Sequence, residues 1–296
     1  MERINQFGDE VSCLRCDLHT HSVFSDGTYT PDEIIAEAKR LGLIVALTDH
    51  NTVAGLTEFM NAARKQGVTA VPGVEFSTEY NGKELHLLGL FVLPKHYGAI
   101  ERMVKEQHVL KEISNMELVE RLNQASYLID YAKVKARNPN GNANRAHMAA
   151  ELLEQGYVAS IREAFDTVLS DNGGFYVPPS RLQLMDVIKE LWHIGVVPVL
   201  AHPLQELTEL ELRELLPNAI EAGLAGIETM HSSYTPEVIR LAEKIALEFK
   251  LLSSGGSDFH GSVKPDISLG TGKGWLCVPV SKYLDLQALQ RKLIAN

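Results

Sequence analysis

The sequence predicts an α/β fold built around a parallel sheet, and three observations support this class. Short runs such as 43–47 are continuously apolar, which is typical of strands that are buried on both faces. These runs alternate with amphipathic helical patterns, as in β-α-β units. Polar residues follow the apolar runs. At 296 residues, the chain is long enough for one barrel-sized domain with an inserted lobe.

The first part of the chain shows this alternation clearly. The predicted elements are, in order, a strand over 17–21, a helix over 31–41, a strand over 43–47, a helix over 56–65 and a strand over 69–74. Pro31 and Gly42 are typical of the start and the end of a helix. Asn81-Gly82 then predicts a hairpin, and His86 lies near the start of the returning strand.

The middle of the chain departs from the alternation. Its pattern is helical and charged, so we predict an inserted, mostly helical lobe over 101–182 and a barrel formed by 14–100 and 183–296. After the lobe we expect a helix through Trp192, strands over 196–201 and 226–228, a helix over 238–249, strands over 251–253 and 275–280, and a closing helix.

The composition restricts the partners. A formal charge of −10 disfavours a surface that grips long duplex nucleic acid through its phosphates, although a local cationic pocket is compatible with it. The start of the chain lacks the apolar region of a signal peptide, and no apolar run approaches the roughly 18 residues of a membrane span. The three cysteines do not form a disulfide framework. We therefore expect a cytoplasmic protein without a membrane partner.

Imidazole and carboxylate side chains are concentrated at the predicted strand ends. They are His19, His21, His50, Glu75, His202, Asp258 and His260. In parallel α/β folds these positions meet at one face, where sites are built. A single histidine is more often a core or surface residue, but the coincidence of the whole set favours a site. Ligands of this kind, without thiolates, favour manganese, zinc or iron.

The pair His19 and His21 has a geometry of its own. Alternate residues of an extended strand share a face, so both imidazoles can hold one metal ion. Asp26 follows in the turn Ser25-Asp26-Gly27, from which a carboxylate can reach the mouth of the same pocket.

Ordered motifs across the chain resemble the PHP (polymerase and histidinol phosphatase) family. The motifs are DLHTHSVFSDG, TDHN, PGVE, His86 after the hairpin, AHP and GSDFH. The resemblance implies a distorted (β/α)7 TIM-like barrel with two to three divalent ions. It implies His19, His21, Glu75 and Asp258 as ligands of one ion, Glu75, His86 and His202 as ligands of a second, and Asp26, His50 and His260 as ligands of a third.

The implied activity is hydrolysis of a phosphate ester by metal-bound water, without a covalent enzyme intermediate. The carboxylates of Asp26, Glu75 and Asp258 would leave three divalent ions with a net charge of about +3, which suits a phosphate. Such ions activate water and stabilise a leaving oxygen. Asp49 either orients a ligand from behind or caps the following turn.

Two segments of the lobe resemble one branch of that family, the 3′,5′-nucleoside bisphosphate phosphatases and 5′→3′ exoribonucleases. They are Asn144-Arg145-Ala146-His147 and Gly173–Pro178. The implied substrate is a nucleotide or the end of a short oligonucleotide. We expect Arg145 to bind a second phosphate bidentately and His147 to contact a phosphate or the leaving group. The alternative for both is a solvated helix residue.

His231 is a further candidate substrate contact and a reserve general acid, the alternative being a surface-loop histidine. Two other functions stay open at this point. One is a small-molecule phosphatase of the histidinol-phosphate type. The other is a metal-stabilised binding module without catalysis, which predicts no turnover with added manganese.

Overall fold

A mixed, nearly closed sheet forms the centre of the fold. The computed structural model describes residues 15–137, 143–170, 174–176 and 181–295. The strands are β1 (Arg15–Asp17), β2 (Leu43–Leu47), β3 (Ala70–Tyr80), β4 (Lys83–Leu90), β5 (Leu182–Gln183), β6 (Val197–Leu200), β7 (Gly226–His231) and β8 (Leu252–Gly256). The helices are α1 (Pro31–Leu41), α2 (Leu56–Gln66), α3 (Tyr97–Gln124), α4 (Tyr131–Ala136), α5 (Arg145–Glu154), α6 (Ile161–Asp166), α7 (Leu184–Ile194), α8 (Pro203–Glu206), α9 (Glu209–Ala222), α10 (Pro236–Glu248) and α11 (Val280–Ala295).

The sheet order is β1-β2-β3-β4-β6-β7-β8, and the short β5 pairs with the end of β3. β1, β2 and β3 are parallel, as are β6, β7 and β8, whereas β4 is antiparallel to both β3 and β6. The segment after β1 closes the ring on β8, because Leu18 N–H donates to Gly255 O and Asp258 N–H donates to His19 O. The distorted seven-stranded barrel is thus confirmed, with the distortion at β4.

The ends of α1 are those that the sequence predicts. The Thr30 hydroxyl accepts from Glu33 N–H, and the Glu33 carboxylate accepts from Thr30 N–H, so two of the unpaired amides at the helix start are satisfied. Gly42 ends the helix with a φ of +65°, a conformation that glycine adopts without steric cost.

Three strands, β3, β7 and β8, are longer than predicted, and two, β1 and β6, are shorter. β3 continues past Glu75 to Tyr80, because the Asn81-Gly82 turn pairs its second half with β4. β7 continues to His231. β1 ends at Asp17, so the two histidines of the first motif lie in the segment that follows the strand.

The predicted strand over 275–280 is wrong. In this region Val278 O accepts from Cys16 N–H, and Pro279 makes an isolated bridge with Arg15. Pro279 has no N–H with which to extend a ladder, and α11 begins at the next residue. The segment therefore runs antiparallel beside β1 as irregular backbone before the closing helix begins.

The sheet separates two apolar cores, and the lobe has a third. Alternate residues of β2 face opposite sides, so that Val45 packs beneath the outer helices and Ala46 packs inside the barrel. α3 belongs to two cores, because Ile100 packs on the barrel and Leu118 packs in the lobe. The predicted lobe boundary at 101 falls within this helix and stays a prediction. The outer limits of the predicted barrel, residues 14 and 296, lie outside the described residues.

None of the helices in the described ranges combines the length and the hydropathy of a membrane span.

Candidate metal centre

Glu75 lies at the centre of the residues that the sequence singled out. Its side chain is 1% exposed, although it projects from the middle of β3. Imidazole nitrogens lie 2.9 to 3.3 Å from its two carboxylate oxygens, and they belong to His19, His21, His50, His86 and His202. One buried carboxylate thus joins the segments that follow β1 and β2 to β4 and to the end of β6.

Two further carboxylates complete the cluster. Asp258 Oδ1 lies 3.3 Å from His21 Nε2 and 3.4 Å from His260 Nδ1. Asp26 Oδ1 lies 3.3 Å from His260 Nε2, and its Oδ2 lies 3.8 Å from His50 Nε2. The structure therefore brings together all nine residues that the sequence nominated as metal ligands.

The position of the ring proton of His19 indicates which kind of ligand this cluster fits. The Nε2 atoms of the two rings lie 3.1 Å apart. A carboxylate can only accept, so the contacts of 3.2 Å between His19 Nδ1 and Glu228 place the His19 proton on Nδ1. His19 Nε2 faces His21 and a Glu75 oxygen. Burial disfavours protonation of His19, but Glu75 and Glu228 raise its pKa, so this position holds either a proton or a metal ion in its place. Without that proton, the converging lone pairs fit a cation.

Buried polar atoms support the same conclusion. In the described part of the chain, His50 Nδ1, Glu75 Oε2 and His202 Nδ1 are buried and make no hydrogen bond. An unsatisfied buried polar group costs about 1–3 kcal/mol, so a cluster of them requires a compensating ligand. Imidazole and carboxylate donors at this density match a divalent metal ion.

The carboxylates are ionised, as metal ligands must be. Burial alone would raise the pKa of Glu75, but His19 and His86 hold it well below its usual range. Burial likewise opposes ionisation of Asp26, and His260 keeps its pKa low.

The histidines divide into two groups. Burial lowers the pKa of His50 to about 3 and that of His202 to about 4, so both rings are neutral and offer lone pairs. Burial also disfavours protonation of His21 and His86. Even so, Asp258 and Glu75 raise the pKa of His21 to about 9, and Glu75 and Glu84 raise that of His86 to about 10. A metal ion competes with protons for these two rings.

Four groups of side chains within the described residues place their donor atoms within 4.8 Å of one another. They are His21, Asp26, His50 and His260; His19, His202 and Glu228; His19, His21 and Glu75; and His50, Glu75 and His86. These groups overlap the three ligand sets that the sequence implies. The assignment of each residue to one ion stays a prediction.

Glu228 is a residue of the site that the sequence reasoning missed. It is fully buried on β7, and besides contacting His19 it accepts a hydrogen bond of 2.9 Å from His202 N–H. Glu228 thereby orients two of the predicted ligands at once. The available signal was an acidic residue at the predicted end of a strand, as at Glu75.

We expect Glu228→Gln to weaken metal binding by about 10- to 100-fold, which is the usual cost of removing a partner that orients a ligand. An amide can turn an N–H toward His19 Nδ1, which would favour the wrong tautomer. Metal titration followed by calorimetry measures this effect. Glu243→Gln, a change on α10 outside the cluster, is the control, and equal affinities for Glu228→Gln and wild type would contradict the prediction.

Asp49 organises the loop after the first motif. Its carboxylate accepts from Ser22 N–H at 2.7 Å, from the Ser22 hydroxyl at 2.6 Å and from the Ser25 hydroxyl at 2.6 Å. The Ser25 oxygen lies 3.5 Å from His21 Nδ1. Asp49 thus reaches a predicted ligand through Ser25. The described hydrogen bonds of its carboxylate go to the loop after β1 and not to the turn that follows Asp49.

The backbone around the cluster is strained at two positions. His202 has a φ of +27°, and Asp258 has a φ of +57°. Non-glycine residues in this region cost on the order of 1 kcal/mol or more and are concentrated at functional sites. Gly256 precedes this segment, and a Cβ there would overlap the backbone of His19, so β8 approaches the first motif as only glycine allows.

The three candidate substrate contacts lie on two sides of the cluster. His231 is buried at the end of β7, with Nε2 3.6 Å from Asp258 Oδ2. Arg145 and His147 lie in the first turn of α5, in the lobe. The Arg145 guanidinium stacks 4.3 Å from the centroid of the Tyr176 ring. Of the predicted segment 173–178, Gly173, Val177 and Pro178 lie outside the described residues.

Three more cations border the cluster, and the sequence reasoning gave them no role. The Lys264 ammonium lies 2.6 Å from Asp258 Oδ2. Arg181 lies 2.5 Å from Glu84, whose other oxygen is 3.5 Å from His86 Nε2. Burial lowers the pKa of Lys111, and the charges of Arg145 and Arg181 act in the same direction.

A small cavity lined by two of these cations, Lys111 and Arg181, lies close to the metal-ligand cluster. Its volume is about 70 Å³, and its walls are Asn51, Ser77, Glu84, Gln107, His108, Lys111, Tyr176 and Arg181. Asn51 follows the predicted ligand His50, and Ser77 pairs with His86 across the hairpin. The cavity therefore offers a positively charged space directly beside the cluster.

Comparisons with known proteins agree with the site. A family model described as PHP domain matches residues 17–174. A 5′-3′ exoribonuclease of Haemophilus influenzae is 31% identical over 246 residues, which are 82% of this chain and 89% of the relative. A 3′,5′-nucleoside bisphosphate phosphatase of Chromobacterium violaceum is 29% identical over 280 residues, which are 93% of this chain and 98% of the relative.

Two other matches are a relative that acts on a different class of phosphate ester and a solved structure. A phosphoribosyl 1,2-cyclic phosphate 1,2-diphosphodiesterase of Eggerthella lenta is 29% identical over 250 residues, or 83% of this chain and 94% of the relative. A crystal structure from Bifidobacterium adolescentis, assigned as a metal-dependent phosphoesterase, superposes with a TM-score of 0.84 at 28% identity. It covers 96% of this chain and 99% of its own.

Proposed function

Because the chain belongs to the PHP domain family and is a metal-dependent phosphoesterase, we propose that it acts on 3′,5′-nucleoside bisphosphates, on short 5′-phosphorylated oligonucleotides, or on both. One observation carries this choice of substrate. A cluster suited to divalent ions lies beside a region that carries the cationic side chains of Lys111 and Arg181. Glu84 contacts Arg181 in this region and His86 in the cluster. A substrate with two phosphate groups matches this pair of sites.

Two to three divalent ions, of manganese, zinc or iron, are part of the proposal. The holders would be His19, His21, Glu75 and Asp258 for one ion, Glu75, His86 and His202 for a second, and Asp26, His50 and His260 for a third. When bound, such ions supply Lewis-acid activation of water and neutralise charge on the phosphoryl group.

The protein's own residues prepare the site for this chemistry. Burial of the Glu75 carboxylate excludes water and strengthens every charge interaction around it. Asp49 holds the loop that contains Ser22, and Glu228 orients the ring of the predicted ligand His19. Lys264, paired with Asp258, places a further positive charge at the rim, where a phosphoryl oxygen would lie.

Arg145, with Lys111 and Arg181, would bind the second phosphate. A guanidinium offers two parallel N–H donors to a phosphate, and stacking on Tyr176 keeps its plane fixed. His147 Nδ1 accepts from Asn144 N–H at 3.1 Å, so the neutral ring carries its proton on Nε2 as a donor. His231 would contact the phosphate at the metal centre, and a general-acid role is the alternative to simple contact.

The remaining parts of the proposal concern partners and organisation. The partners are small phosphorylated molecules or short oligonucleotide ends, whereas long duplex nucleic acid is disfavoured by the net charge of −10. We propose residues 101–182 as the substrate-facing lobe and the flanking segments as the barrel. The cytoplasmic location stays a prediction.

The test is a substrate panel with controlled metal content. We expect the manganese-loaded protein to release phosphate from adenosine 3′,5′-bisphosphate with a kcat/KM at least about tenfold above that for histidinol phosphate or ribose 5-phosphate, since each good charged hydrogen bond contributes about 1.5–3 kcal/mol. Chelation should abolish turnover, and manganese should restore it.

Two results of this panel would contradict the proposal. A preference for histidinol phosphate would support the small-molecule phosphatase instead. Absence of turnover on all substrates, with metal bound in stoichiometric amounts, would indicate a binding module.

A further inference from the structure

His231 differs from the other buried histidines of the site. It is 3% exposed, and its ring centroid lies 5.1 Å from that of His202 and 6.3 Å from that of His19. Nevertheless, it belongs to none of the groups of described residues that could hold a metal ion. Its Nε2 atom is buried, faces Asp258 and makes no hydrogen bond within the described chain.

The other ring nitrogen determines where the proton is. Ser233 N–H donates to His231 Nδ1 at 3.2 Å, and a backbone amide can only donate. The side-chain amide nitrogen of Gln205 lies 3.0 Å from the same Nδ1. Two donors on Nδ1 require a lone pair there. The proton of the neutral ring is therefore on Nε2, the atom that points to the metal-ligand cluster.

We propose that Ser233 and Gln205 hold His231 as its Nε2–H tautomer, and that this N–H donates a hydrogen bond to a phosphoryl oxygen of the substrate. The inference rests on the proposed phosphoesterase substrate. His231 is then a catalytic residue that acts as a fixed neutral donor, and Gln205 is its positioning residue.

The same geometry excludes two other roles for His231. A nitrogen that carries a proton has no lone pair with which to bind a metal ion. A neutral ring that gave up its Nε2 proton would become an imidazolate, which is too basic to form at neutral pH. A second proton, on Nδ1, would point at the Ser233 N–H, and two donors facing each other repel. The general acid considered above is thus replaced by a donor that keeps its proton throughout the reaction.

The chain order gives this arrangement a structural basis. Gln205 lies on the short helix α8, which starts directly after the predicted ligand His202. Gln205 is exposed, and within the described residues its side-chain amide contacts His231 and the Ser233 hydroxyl. The turn that carries a metal ligand therefore also carries the residue that orients the donor.

Nitrogen NMR tests the tautomer without any turnover. In protein labelled with ¹⁵N-histidine and loaded with diamagnetic zinc, the signal that disappears in His231→Gln identifies His231. We expect the ring nitrogens of His231 to report a protonated Nε2 and an unprotonated Nδ1. A protonated Nδ1 would overturn the inference. This readout holds even if bisphosphates are not the substrate, so failure of the proposed function is distinguished from failure of the tautomer.

Kinetics test the donor role. A glutamine side chain at 231 offers an N–H at a similar reach but does not titrate, whereas a leucine offers none. We expect His231→Gln to keep kcat/KM for adenosine 3′,5′-bisphosphate within about tenfold of wild type, with the same pH profile. His231→Leu should lose about 100-fold or more. Equal losses in both variants, with one limb of the pH profile gone, would establish a general acid and overturn the proposal.

Gln205 provides the test of positioning. Gln205→Met removes the donor at constant length, and Gln205→Lys restores a side chain that can only donate. We expect kcat to fall about fivefold in the methionine variant with KM unchanged, and the lysine variant to recover most of it. Gln287→Met, on α11, is the control. Equal kcat in the methionine and lysine variants would overturn the role of Gln205.

Discussion

Replacement of Glu75 by glutamine is expected to lower kcat/KM by a factor of at least about 1,000, or roughly 4 kcal/mol in transition-state stabilisation. The change preserves shape but removes the one negative charge that five imidazoles share. An amide also turns an N–H toward rings that must present lone pairs to a cation. We therefore expect the loss of activity to follow a loss of bound metal, measured by elemental analysis after dialysis.

A matched change on the same strand separates this effect from a general disturbance of β3. Glu79→Gln alters a carboxylate four residues further along, outside the cluster. We expect it to keep full metal content and activity. If Glu75→Gln retained both, Glu75 would not be the shared ligand. Similar losses in the two variants would indicate damage to the hairpin.

Arg145→Ala is expected to reduce kcat/KM for adenosine 3′,5′-bisphosphate by about 100-fold, while p-nitrophenyl phosphate changes by less than about threefold. A bidentate guanidinium–phosphate contact is worth about 1.5–3 kcal/mol, and the aryl ester has no second phosphate to lose it. Steady-state kinetics on both substrates measure the difference. Manganese content should stay equal to that of wild type, because Arg145 lies on α5 in the lobe.

Arg162→Ala is the control for this experiment. Arg162 is a 90% exposed arginine on α6 of the same lobe, and its loss should change neither substrate. Equal losses on the two substrates in Arg145→Ala would mean that Arg145 supports the fold. Its stacking on Tyr176 and its contact with Leu169 O make that the competing explanation.

The sequence predicted the positions of the metal-ligand cluster because strand ends are a property of local pattern. His50 and His202 follow short apolar runs, which can be recognised as strands from the sequence alone. Glu75 was found as a ligand candidate although its strand was predicted to end there. The continuation of β3 depends on pairing with β4, which local pattern does not determine.

The residues that the sequence did not reveal depend on tertiary contacts. Glu228 matters because β7 places it behind His19, which lies 209 positions away in the chain. Lys111 and Arg181 line one cavity although 70 positions separate them, and neither belongs to a motif of the barrel. The inferred tautomer of His231 depends in part on Gln205, which lies 26 positions away in the chain. Charge and spacing in one dimension carry no record of such contacts.

The continuous helix α3 affects how the substrate preference of this protein can change. Two of its side chains are bonded to the barrel next to predicted ligands, Gln107 to Ser77 O and His108 to Asn51 O. Its 28 residues span about 42 Å. The first half of α3 is held at the face that carries the predicted ligands, so substrate preference can change through the later turns of α3 and through α4 to α6 while the ligand geometry stays the same.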